Sequence, residues 1–139
     1  MKKLKSLSIN QILKSYDLPH RLLVYFTSQC AKNAMSKVKD PDPRSLAAID
    51  IAERFGNGED FSQEVLKKTC DDAYTAANAA YASYATGAAY SATAAYSAAS
   101  ATYAATNAAA SDDYKPLLLD LINKRLTKAE RVLIFGEHA

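Results

Sequence analysis

AYTAANAAYASYATGAAYSATAAYSAASATYAATNAAAS, residues 73–111, is a run of 39 residues without one charge, made of 20 Ala, 6 Tyr, 5 Thr, 5 Ser, 2 Asn and the single glycine Gly87. Alanine is the strongest helix former and only Gly87 weakens helix here, so the run predicts helix almost throughout. The helical pattern already starts at Ser62 and passes through Val65, Leu66 and Cys70. One unbroken helix from there would extend roughly 75 Å, twice the roughly 37 Å diameter of a compact domain of this length. A break near Gly87 resolves the conflict by giving two central helices, each about 36 Å long. Small residues at 4-3-4 spacing allow helix axes to approach closely, and tyrosines seven apart (Tyr74 and Tyr81, Tyr96 and Tyr103) form stripes along the seam. Ser, Thr, Asn and Tyr interrupt the run about every third position, so it is too polar for a membrane span.

Outward from this run, helix signals recur and strand signals do not. Ser8 to Gln11 reads as a capping box ahead of Ile9, Ile12 and Leu13, and that first helix ends near Tyr16. Pro19 opens a second helix with Leu22, Leu23, Phe26, Cys30, Ala34 and Val38 on its apolar face. Asp40 to Pro43 breaks it. Asp42 and Pro43 begin a third, with Leu46, Ala47, Ile49, Ile51 and Phe55 as the expected buried face and Gly56 to Gly58 as its end. Asp60 or Ser62 caps the next. Beyond the run, Pro116 opens a helix carrying Leu117, Leu118, Leu121, Ile122 and Leu126, and Thr127 to Glu130 is a second capping box before a last helix that stops at Gly136. The expected fold is an all-α, single-domain bundle of about six to seven helices over residues 1–139, with residues 1–7 flexible.

The 139 residues carry a formal charge of +2, unevenly spread. Residues 1–45 hold nine Lys or Arg against three Asp, and residues 46–72 hold three against seven acids, so the two segments can pair inside the fold. The basic residues are scattered, with no helix face that joins them to aromatics, and nucleic-acid binding is not expected. Lys2, Lys3 and Lys5 are followed by Ser8, Asn10 and Gln11 in place of an apolar core segment, so no signal peptide is read and a cytoplasmic location is expected. Cys30 and Cys70 lack metal-ligand or redox spacing and read as buried thiols. No motif for metal, nucleotide or covalent catalysis is present, His20 and His138 are the only histidines, and the paired aspartates are explained by helix ends. No cofactor and no enzymatic activity are expected. A Cys–His pair of His20 with Cys30 or Cys70 is the one nucleophilic arrangement that spacing leaves open.

The segment from Asp42 to Gly58, followed by an alanine-rich helical stretch, resembles a family of immunity proteins of bacterial toxin systems and related phage proteins. Asp42, Arg44, Ala48, Ile49, Gly56 and Gly58 carry the resemblance. It implies an all-helical, non-catalytic protein that binds and neutralises another protein, a toxin or a host protein. Arg44 is then either a partner contact or an internal clamp beside Asp40 and Asp42. Tyr74, Tyr81, Tyr84 and Tyr90 are the matching aromatic candidates for partner binding, with half-buried packing as their other reading. The rival reading is a self-associating structural protein, in which unfilled small-residue faces form a homodimer.

Overall fold

A computed structural model describes residues 2–36, 43–76 and 114–136. Among them are seven helices and no strand: α1 Lys2–Lys5, α2 Ile9–Ser15, α3 His20–Met35, α4 Pro43–Gly56, α5 Gln63–Ala76, α6 Lys115–Arg125 and α7 Lys128–Phe135. The fold is an all-α bundle. The expected pair of Ala/Tyr helices meeting near Gly87 lies outside the described residues, apart from the start of the run at the end of α5.

Local chemistry sets the helix ends. Ser8 Oγ accepts from the Gln11 N–H at 3.2 Å while the Gln11 side chain accepts from the Ser8 N–H at 2.8 Å, and α2 closes at Tyr16. Pro19 sits one residue before α3, where its carbonyl accepts the first helical bond, from Leu23 N–H. Of the two caps read ahead of α5, Ser62 takes the position: its Oγ accepts from Val65 N–H at 3.2 Å. Asp60 is engaged elsewhere, by Arg21.

α3 is the hub, because it is apolar on two faces. Leu22, Leu23, Phe26 and Cys30 join α1, α2 and α6 in one core with Leu4, Ile12, Leu118 and Ile122. Val24 and Ala31 face the other way, onto Ile49, Ala52 and Phe55 of α4 and Leu66 of α5. The hydroxyls buried on α3 are satisfied by their own helix, Thr27 by Leu23 C=O at 2.8 Å and Ser28 by Tyr25 C=O at 2.6 Å.

One expectation is corrected here. The buried stripe of α4 is Ser45, Ala48, Ile49, Ala52, Phe55 and Gly56, while Leu46 is 45% exposed, Ala47 is exposed and Ile51 is half-buried. The helix is rotated so that its small residues meet α3: without bulk at 45, 48, 52 and 56 the backbones close up, which Leu46 would prevent. Ser45 Oγ, fully buried at this seam, has no hydrogen-bond partner among the described residues, so Ser45 serves there as a small residue. Lys2–Lys5 form a helical turn whose Leu4, 2% exposed, anchors it in the first core.

Candidate functional site

The sequence-derived candidates are not brought together by the described residues. Arg44 lies exposed in the first turn of α4. Tyr74 is in the last turn of α5, with its side chain outside the description, as is that of Cys70. Tyr81, Tyr84, Tyr90, Asp40, Asp42 and His138 lie outside the described residues. His20 and Cys30 are on one helix, ten positions and thus about 15 Å of rise apart, so they form no nucleophilic pair. His20 packs edge-on against Phe55, 5.6 Å between centroids.

Cys30 is fully buried, and burial pushes its thiol up to about 12. A neutral, shielded thiol is a poor nucleophile. In a Cys70→Ser background, a soluble disulfide reagent at pH 8 is therefore expected to leave Cys30 unmodified in the native protein and to modify it fully in urea. Rapid labelling without denaturant would show that the α3 core opens.

The densest polar construction surrounds the end of α4. Arg21 Nη1 donates to the carbonyls of Phe55 at 2.7 Å and Glu59 at 3.0 Å, its Nη2 reaches Asp60 Oδ1 at 2.5 Å, and its guanidinium lies 4.3 Å over the Phe55 ring. Arg125 Nη1 donates to Gly56 C=O at 3.0 Å and stacks 3.7 Å over Tyr25. Arg54 holds Glu59 through two bonds of 2.6 Å, which keeps that carboxyl below its usual range. Arg21 and Arg125 satisfy helix-end carbonyls at the negative end of the α4 dipole, and Arg54 closes the turn through the Glu59 carboxylate. They tie α3, α6 and the α4–α5 turn together.

A second place is open. α7 is fastened at both ends: Thr127 and Glu130 form a reciprocal capping box, and Gly136, at φ +94°, ends the helix with its N–H on Val132 C=O at 2.8 Å. Arg131 Nη1 ties it to α6 through the carbonyls of Leu126 at 2.7 Å and Asn123 at 3.1 Å, and Phe135 packs edge-on against Tyr16 at 4.8 Å. With Ile134 and Phe135 packed on the first core, the other side of α7 presents Lys128, Ala129, Val132 and Leu133 outward, Leu133 being 87% exposed. Between α7 and the α2–α3 linker runs a groove of about 400 Å³ lined by Asp17, Leu18, Pro19, His20, Glu130, Leu133 and Ile134. Sequence reasoning passed over this face, although a signal was present. Val132 to Phe135 are four consecutive apolar residues, and at 3.6 residues per turn four in a row encircle a helix, so some must point away from any single core.

Among the described residues no helix is long and apolar enough to cross a membrane, and no group of three His, Cys, Asp or Glu could hold a metal ion. No family model, no curated protein and no solved structure matches this chain.

Proposed function

We propose that this protein works without catalysis in the cytoplasm by binding and neutralising another protein, as the resemblance to toxin-immunity and phage proteins implies, and that the outer face of α7, which lies outside the resembling segment, is the surface it binds with. The observation that supports this reading is Leu133, an 87% exposed leucine on a helix pinned at both ends. A helix pinned at both ends needs no backbone ordering to present this side chain, and burying it would remove apolar area from water, which is what an interface anchor requires. Val132 and Ala129 extend the apolar surface and Lys128 lies at its edge. The self-associating alternative rests on the small-residue faces of the alanine run, which lie outside the described residues.

The test compares the wild type with Leu133→Ala, a substitution that removes an exposed side chain and keeps a strong helix former. The partner captured from host lysate is purified and its activity titrated with each protein. Wild type is expected to abolish that activity at one equivalent. Leu133→Ala should bind it about thirty-fold more weakly, equivalent to roughly 2 kcal/mol at an interface anchor. A bound protein whose activity is unaffected, or equal binding by both proteins, overturns the proposal.

A further inference from the structure

Asn57 is the one asparagine of the chain followed by glycine, and that pair carries a chemistry of its own. The backbone nitrogen after an asparagine can attack the side-chain carbonyl carbon, and a glycine, having no Cβ, leaves the approach open. Both residues are exposed, and no atom lies within 4 Å of a Cβ built on Gly58. Water and base reach this turn from outside.

The turn nevertheless holds each reacting atom. Gly58, at φ +103°, is the left-handed residue that ends α4: its N–H donates to Phe55 C=O at 3.0 Å, and the N–H of Glu59 donates to Arg54 C=O at 3.0 Å. The nitrogen must lose its proton before it attacks, and a proton held on a carbonyl is shielded from base, as it is in hydrogen exchange. The electrophile is held as well. Arg125 Nη2 donates to Asn57 Oδ1 at 2.5 Å, and the guanidinium is itself fixed by Gly56 C=O and by its stack on Tyr25. Nucleophile and electrophile both belong to the end of α4, while the grip that keeps them apart comes from α6.

We propose that Asn57 and Gly58 form a self-modification site, silent while Arg125 closes the turn and converted to isoaspartate when the junction of α4 with α6 opens. Base takes the Gly58 N–H proton and the nitrogen bonds to Asn57 Cγ. The Cγ–Nδ2 bond then breaks, the proton is returned to the leaving nitrogen, and ammonia departs from a five-membered imide. Water opens the imide to aspartate or isoaspartate. In isoaspartate the backbone runs through the former side chain and is one carbon longer, so the Gly58 and Glu59 N–H groups lose their register with the α4 carbonyls. The conversion makes an opening of the junction permanent and records it as one added negative charge beside Arg125.

Two rates of the full chain at pH 8 test this: exchange of the Gly58 amide with solvent by NMR, and conversion of Asn57 by peptide mass spectrometry, each in buffer and in guanidinium chloride. In buffer, conversion is expected to be about tenfold or more slower than in the unfolded chain, and slowed by the same factor as Gly58 exchange. Asn33 and Asn123, followed by Ala34 and Lys124, should remain amides. Arg125→Lys keeps the cation but cannot span Gly56 and Asn57 with one fork, and should speed both rates about tenfold while the amides of Ile12 and Ile49 keep their protection. Conversion in buffer as fast as in guanidinium chloride would show that the turn guards nothing. Conversion out of proportion to Gly58 exchange would place the barrier elsewhere, and equal rates in Arg125→Lys and wild type would remove Arg125 from the device. Each of these overturns the proposal. If Arg125→Lys costs Ile12 and Ile49 their protection, the wild-type comparison decides alone.

Discussion

Gly56→Ala is expected to destabilise the protein by about 3 kcal/mol, the upper end of what overpacking costs, although alanine is the better helix former. Gly56 is the last residue of α4, and helix propensity alone would credit the substitution with a gain of about 1 kcal/mol. The seam with α3 reverses the sign. A Cβ at position 56 would lie 2.6 Å from Tyr25 Cβ and 2.8 Å from both Tyr25 Cα and Tyr25 N. Those atoms belong to the α3 backbone or its first side-chain carbon, so no rotamer change relieves the contact and the helices must part. Parting them would also lengthen the bond from Arg125 to Gly56 C=O and loosen the Val24, Ala31, Ala52 contacts behind it. Gly58→Ala is the control. Gly58 has φ +103° and no atom within 4 Å of a built Cβ, so its substitution costs backbone strain alone, about 1 kcal/mol. Urea unfolding of the two variants checks the order. Equal stabilities, or a Gly56→Ala protein as stable as wild type, would show that α3 and α4 do not approach this closely.

The seam explains which parts of the fold were legible in the sequence. Both capping boxes, the start at Pro43 and the Gly58 turn were readable because each depends on residues three or four positions apart. The pairing of the basic N-terminal third with the acidic segment was readable too, and Arg21–Asp60 at 2.5 Å and Lys32–Glu53 at 3.3 Å realise it. The rotation of α4 was not. Ranking by hydrophobicity favours burying Leu46 and Ala47, but the winning face is the one that lets two backbones touch, and that preference belongs to the helix opposite. Close packing on small residues was anticipated for the alanine run; among the described residues it is found between α3 and α4. The candidate site escaped for a related reason. Arg44 and the tyrosines stand out by residue type, whereas Leu133 becomes distinctive only once α7 has used Ile134 and Phe135 to dock.

Phe26→Ala should cost about 3–5 kcal/mol, the usual range for emptying a buried phenylalanine site, against a total of roughly 5–15 kcal/mol for a domain. Among the described residues Phe26 is the largest side chain fully withdrawn from solvent, 0% exposed, and it sits in the first core with Leu4, Ile12 and Ile122. Its neighbours come from α1, α2 and α6, short helices with few ways of collapsing onto the cavity without losing their own contacts. The damage is not confined to that core. Val24 and Ala31, on the same helix, supply part of the second core, so α3 cannot leave one side and stay folded against the other. The loss of Phe26 is therefore expected to lower the stability of both cores together. Amide hydrogen exchange of Ile12 and Ile122 in the first core and of Ile49 and Ala52 in the second should report the same shift. If α4 amides kept their wild-type protection while those of Ile12 and Ile122 lost theirs, α3 would be a partition between two independent units and not the hub that joins them.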